Sequence, residues 1–141
     1  MNEEPVISEE LQGLLNVAFG PELYEIEKGM VLKFTEAIGD PNPRWRQIAP
    51  PTLPAALVPQ ELFNRVVAAR CPLTRVLNGS SEIEYRQPIK IGDVISVTGK
   101  LVNLRKLEGK TGRTLFLILE ITYENQRGEL VATGRNTLIR L

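Results

Sequence analysis

The pattern of apolar and polar positions divides the chain into two halves with different periods. Before Pro72 the apolar residues recur at helical spacing, and after it they alternate. Leu11, Leu14, Leu15 and Ala18 predict a helix over Ser8 to Ala18. Ser8 caps it, Glu9 and Glu10 suit the positive end of its dipole, and Gly20-Pro21 stops it. Leu23 to Ile26 alternates as a short strand. Met30, Val31, Phe34, Ala37 and Ile38 share one face of a second helix, Lys28 to Ile38, which Gly39 ends. Leu62, Phe63, Val66 and Val67 predict a third helix from Glu61 to Arg70, with Pro59 in its entry turn. Beyond Pro72, strands are predicted at Ser81 to Arg86, Val94 to Leu104, Leu115 to Tyr123 and Leu130 to Leu141. Gly109-Lys110-Thr111-Gly112 and Asn125-Gln126-Arg127-Gly128 are the turns between the last three. Read in order, this is α+β: helices first, then an antiparallel meander of four strands wrapped around a helix. No repeat or linker interrupts it, so 1–141 reads as a single domain with a helical extension over 1–20.

Between the two halves lies a segment with neither period. Six of the ten prolines fall between Pro41 and Pro59. Each removes a backbone donor and pushes its predecessor out of the helical region, so the segment is a pre-shaped loop. It begins with a polar hook, Gly39-Asp40-Pro41-Asn42-Pro43, continues through Arg44-Trp45-Arg46, and carries a short helical turn at Leu53 to Leu57. A rigid loop bearing Asp, Asn, Arg and Trp is where function is best sought.

Composition narrows the chemistry. Seventeen basic residues balance seventeen acidic ones, which argues against a nucleic-acid partner. No apolar run approaches a membrane span, and the acidic start differs from a signal peptide, so a cytoplasmic location is expected. The single cysteine, Cys71, excludes an internal disulfide and a cysteine metal cluster. The chain contains no histidine. That removes Ser-His-Asp and Cys-His nucleophile systems, His-based zinc sites and the commonest general base. Chemistry must run on carboxylates, Lys, Tyr, amides or backbone groups, or on residues lent by a partner.

The motifs, in order, are Gly39-Asp40-x-Asn42-Pro43, Ala49-Pro50-Pro51-Thr52, Val76-Leu77-Asn78-Gly79, Glu84-Tyr85-Arg86-Gln87-Pro88, Gly92-Asp93 and Gly128-Glu129-Leu130-Val131-Ala132. Over Pro21 to Leu141 the chain resembles the MaoC-like dehydratases, hot-dog folds acting on acyl thioesters. The nearest branch is the one similar to the dehydratase domain of type I fatty-acid synthase. Active members extend the hook to Gly-Asp-x-Asn-Pro-x-His and use its Asp and His as the catalytic pair. Here Asp40 is kept and Trp45 stands at the histidine position. Where many members carry a second histidine, this chain has Asn78, followed by Gly79.

The resemblance implies an acyl-CoA or acyl-carrier thioester as ligand and no cofactor. It also implies a dimer, either a homodimer or a heterodimer with a histidine-bearing MaoC-like chain. It implies catalysis through Asp40, if the chain is active, and contacts to substrate from Asn42, Trp45, Asn78 and Gly79. Backbone donors at the helix start would polarise the thioester carbonyl, and since Pro54 lacks an N–H these would be Ala55 and Ala56. Each residue also has an ordinary reading. Asp40 and Asn42 suit turn capping. Trp45 suits packing, Arg44 and Arg46 suit solvation as well as phosphates, and Glu61 suits the first turn of a helix as well as a thioesterase carboxylate. Three functions stay open: the non-catalytic half of a dehydratase or hydratase, an active homodimer using Asp40, or an acyl-CoA sensor or scaffold.

Overall fold

A computed structural model describes residues 4–141; residues 1–3 of the expected helical extension lie outside the described part. Helix α1 spans Glu9–Leu14, with the Ser8 hydroxyl oxygen accepting from the Leu11 amide at 3.2 Å. It ends four residues earlier than predicted. Asn16 takes a positive φ, and its amide donates to the Leu101 carbonyl at 2.7 Å, so the sheet captures the chain before the helix can continue.

Strand β1, Phe19–Glu25, begins earlier than predicted and runs through the Gly20-Pro21 pair read as a stop. β1 is an edge strand, and its register with the neighbouring strand shifts between Phe19 and Glu22. An edge with an irregular register is where a strand tolerates proline. Helices α2, Lys28–Ala37, and α3, Gln60–Ala68, stand where the helical spacing placed them.

The remaining strands are β2, Val76–Tyr85, β3, Val94–Gly109, β4, Gly112–Glu124, and β5, Leu130–Arg140. The sheet order is β1-β3-β4-β5-β2, antiparallel throughout. The expected four-strand meander therefore holds only for β3, β4 and β5. β2 crosses to the far edge and pairs with β5, leaving β1 to flank β3.

β4 is the centre of the core. Leu115, Leu117, Leu119, Ile121 and Tyr123 are all buried on one face. They do not all meet α3, as their shared face suggested. Leu115, Leu117 and Leu119 pack with Leu62 and Val66 of α3, whereas Ile121 and Tyr123 join a second cluster with Val31 of α2 and Leu53 and Leu57 of the proline loop. Gly99 on β3 sets how closely α3 approaches. A Cβ there would stand 2.8 Å from a Pro59 ring carbon and 2.9 Å from a Leu62 methyl. At the other end of α3, the buried Arg140 guanidinium has no carboxylate partner among the described residues. Its Nε donates to the Leu73 carbonyl at 2.9 Å and its Nη1 to the Val67 carbonyl at 3.2 Å. A cation on the carbonyls of a helix C-terminus suits the dipole and ties the end of β5 to α3.

Leu117 is 1% exposed and belongs to the α3 cluster. Leu117→Ala should lower stability by about 2–5 kcal/mol through the cavity it leaves. Urea unfolding with an unchanged midpoint would place Leu117 outside the core.

Candidate functional site

The hook forms because α2 cannot continue. Gly39 adopts φ +68, a conformation that favours glycine, and its amide returns to the Glu36 carbonyl at 3.1 Å. The Asp40 amide donates to the Thr35 carbonyl at 3.0 Å, so the carboxylate leaves the helix end in a fixed direction. Its Oδ1 accepts from the Asn42 amide at 3.1 Å. Its Oδ2 accepts from the Trp45 indole Nε1 at 2.9 Å. Asn42 in turn accepts from the Arg44 amide at 3.0 Å and caps the single 3-10 turn Pro43–Arg46 that carries Trp45. Asp40 and Trp45 thus close a ring through the hook. Asn42 lies beneath it, exposed to solvent and engaged in capping.

Trp45 is half-buried against the second core cluster and forms a wall between two open depressions. One, of about 500 Å³, is lined by Lys28, Leu32, Thr35, Asp40 and Arg46. The other, of about 380 Å³, is lined by Arg44, Ile48, Pro54, Tyr85 and Arg86. The two arginines flanking Trp45 therefore face different hollows, both mainly apolar.

The loop beyond the hook is fastened to the sheet end. The Ala49 amide donates to the Ile89 carbonyl at 2.7 Å, and the Ile91 amide to the Gln47 carbonyl at 3.0 Å. Buried Asp93, from the Gly92-Asp93 motif, fixes that segment from below. Its Oδ2 accepts from the Lys90 amide at 2.9 Å and its Oδ1 from the Gln126 side-chain amide at 3.0 Å. This aspartate is structural.

All three tyrosines of the chain gather around the short turn Leu53–Ala56. The Tyr123 hydroxyl donates to the Pro54 carbonyl at 3.0 Å and the Tyr24 hydroxyl to the Val58 carbonyl. Tyr85 and Pro54 line the same hollow. Burial, with Tyr85 and Tyr24 nearby, pushes the Tyr123 phenol up to about 12. Burial also raises the phenols of Tyr24 and Tyr85. Sequence reasoning missed this gathering. Tyr123 was legible as a core position in the alternation, and a buried phenol needs a partner for its hydroxyl, which was the available signal.

At the turn itself Pro54 is buried, while Ala55 and Ala56 are exposed. The Ala55 amide, one of the two expected donors to a thioester, already donates to the Thr52 carbonyl at 3.1 Å. Glu61 is exposed in the first turn of α3, 3.8 Å from Arg65. Asn78 and Gly79 are not brought to the hook. They form the register shift in β2, seven residues before Tyr85, or about 23 Å along an extended strand.

The profile of the FAS1-like dehydratase domain region matches residues 14–134. A UPF0336 protein of Thermobifida fusca (strain YX) is 29% identical over 133 residues, covering 84% of this chain and 85% of that protein. The C-terminally truncated HadBC (3R-hydroxyacyl-ACP dehydratase) complex of Mycobacterium tuberculosis superposes with a TM-score of 0.74 at 16% identity, covering 89% of this chain and 96% of that one. A MaoC-like dehydratase superposes with a TM-score of 0.76 at 19% identity, covering 92% of this chain and 43% of that one. The sheet and its helices are thus the hot-dog fold of the MaoC-like dehydratases. Among the described residues no helix is long and apolar enough to cross a membrane.

The phenol of Tyr123 gives the site a measurable alkaline dependence. A native phenol held near 12 against an ordinary value of 10.0 favours the protonated form in the fold. The stability it confers is complete below pH 10 and is lost as pH rises through 12. Denaturant midpoints should fall across that window, and Tyr123→Phe should reduce the fall. An identical alkaline profile in the variant would assign the effect to other groups.

Proposed function

The chain belongs to the FAS1-like dehydratase region family, and from that premise we propose that it is the non-catalytic, acyl-thioester-binding half of a 3-hydroxyacyl-thioester dehydratase or enoyl-thioester hydratase. The observation that carries this reading is the hydrogen bond between Asp40 and Trp45. Addition of water across an enoyl thioester needs a group that takes a proton and another that returns one. A histidine does this near neutral pH without help, because its ordinary pKa is about 6.5. The indole at position 45 donates a hydrogen bond and exchanges no proton. The second Asp40 oxygen is engaged by the Asn42 amide. The hook of this chain is a clasp that holds a wall between two apolar hollows, and its contribution to a composite site is shape.

The catalytic pair then comes from a second hot-dog chain, and β2 is the place to attach it. β2 is paired on one side by β5 and ends the sheet. Val76, Leu77 and Tyr85 are each more than a third exposed along it. An open strand of ten residues is a template for another strand. Antiparallel pairing there in full overlap carries the Asn78–Gly79 shift of one chain toward the Tyr85 end of the other. That would reunite across the interface the two motifs that lie apart within one chain. The HadBC neighbour is itself named as a complex. The substrate, an acyl thioester on CoA or on a carrier, is part of the same proposal.

Two measurements test it. The chain at micromolar concentration should scatter light as an oligomer, or form one with a histidine-bearing hot-dog chain. A stable monomer of 15.8 kDa in both conditions would remove the β2 pairing. The purified chain alone should not hydrate short enoyl thioesters, and addition of the histidine-bearing chain should raise the rate by about 10²-fold or more. Asp40→Ala in this chain should then lower turnover far less than loss of the partner's histidine. Robust hydration by this chain alone, abolished by Asp40→Asn, would instead establish an active homodimer.

A further inference from the structure

The turn Pro43–Arg46 sends its side chains to different sides of the proline loop. Arg44 lines the hollow of about 380 Å³ and Arg46 the hollow of about 500 Å³, while Trp45 lines both. Among the described residues, Trp45 is the sole lining residue that the two hollows share. Its position is set from several directions. Asn42 caps the turn that carries it, the Asp40 amide is fixed on the Thr35 carbonyl, and the Asp40 carboxylate accepts the indole Nε1 at 2.9 Å. A tryptophan that only fills a core has neighbours on every side. This one packs against the second core cluster along part of its surface and opens to a hollow on either side, with its ring nitrogen tied. That is the construction of a partition.

The two hollows differ in what they adjoin. The larger lies against α2. Leu32 is 57% exposed there, and Thr35 spends its hydroxyl within the helix by donating to the Leu32 carbonyl at 3.0 Å. The smaller is bordered by Tyr85 at the end of β2 and by Arg86, Gln87 and Pro88, which follow it. It is therefore the hollow next to the strand on which the second chain is proposed to sit. A ligand held between the two chains reaches this hollow first and meets the indole at its far side. Each hollow alone falls in the lower half of the range of small-molecule sites, about 300–1,000 Å³, and the two joined would fall in its upper part.

We infer that Trp45 is a length gate: it admits acyl chains short enough to end in the hollow beside β2, and it stops longer ones before the hollow against α2. The inference rests on the thioester-binding reading above and adds to it a specificity-determining residue and a substrate class, short acyl groups. Each methylene taken from water into an apolar site is worth about fourfold in affinity. A chain halted by a fixed wall gains nothing from the methylenes beyond it, and forcing them in displaces side chains from their preferred rotamers. Asp40 is a positioning residue in this scheme, because its carboxylate keeps the indole across the passage.

The test uses the full chain in its native assembly and titration calorimetry with two series of ligands. One series is butanoyl, octanoyl and dodecanoyl groups on coenzyme A, and the other is the corresponding free fatty acids. With the natural chain, affinity should rise from butanoyl and level off before dodecanoyl. Trp45→Ala should extend the rise, increasing the preference for dodecanoyl over butanoyl by about tenfold or more. Trp45→Phe, which keeps an aromatic ring in place, and Asp40→Ala, which keeps the indole but unties it, should each give a smaller gain of the same kind. An aspartate that only capped the hook would leave the length profile alone. Thermal midpoints check the fold of all three variants. Thioester binding with one length profile in every form would overturn the gate and leave the thioester reading standing. The expected change of profile for fatty acids, with no coenzyme A thioester bound, would uphold the gate and remove the thioester reading. Binding of neither series would overturn both.

Discussion

A proline-rich segment cannot hold itself in place. It lacks the donors for a ladder and the φ/ψ freedom for a helix, so its position has to be imposed from outside. Here it is imposed at three points. The Asp40–Trp45 bond closes its beginning, the Ala49 and Ile91 amides pin its middle to the segment before β3, and the Tyr123 hydroxyl holds the Pro54 carbonyl. The last anchor comes from the end of the most buried strand. The second core cluster, which joins Ile121 and Tyr123 to Leu53 and Leu57, forms because the loop is held against the sheet there. Both hollows beside Trp45 are gaps left between an imposed loop and the elements that impose it.

The same fastening changes what the hook can do. In a catalytic hook the aspartate orients a side chain that gains and loses a proton. With Trp45 in that place the carboxylate holds an indole in a fixed direction, and under the proposed reading the proton traffic falls to the second chain. A charge-assisted hydrogen bond to a rigid, two-ringed donor stiffens the loop and fills space. A histidine there would be smaller and would open the wall between the two hollows.

Legibility in the sequence followed solvent exposure. Helices α2 and α3 and strand β4 were readable because each buries one face, and burial imposes a period. The early part of β2 was not readable. Val76 to Ser80 is exposed on both faces, so nothing selects between apolar and polar residues along it. The far half of β3 was lost for the same reason, since its predicted end at Leu104 is where burial fades although pairing with β4 continues to Gly109. The strand order was misread because adjacency in sequence suggests adjacency in space, and β2 departs from that tendency. At the site, the hook was legible because its chemistry is local: Asp40, Asn42 and Trp45 lie within one turn of chain. The gathering of Tyr24, Tyr85 and Tyr123 was not, because it depends on the register of three strands.

The departures share a direction. The part of β2 that the alternation missed belongs to the open edge, the overlooked part of β3 is the outer end of its hairpin with β4, and the motif separated from the hook is Asn78–Gly79 on that edge. Each is a feature with no buried face in this chain, and the proposed pairing of two chains along β2 would give the edge and its motif a role. An edge strand exposed on both sides gains its hydrogen bonds from a partner strand, and antiparallel pairing reverses the second chain end for end. Reversal converts a separation along one molecule into proximity between two. The hook and the Asn78–Gly79 shift, set at the two ends of one sheet, would then assemble as one working end from both chains. A chain without a proton-transferring side chain in its hook can be kept in such an assembly for the wall and the edge it provides.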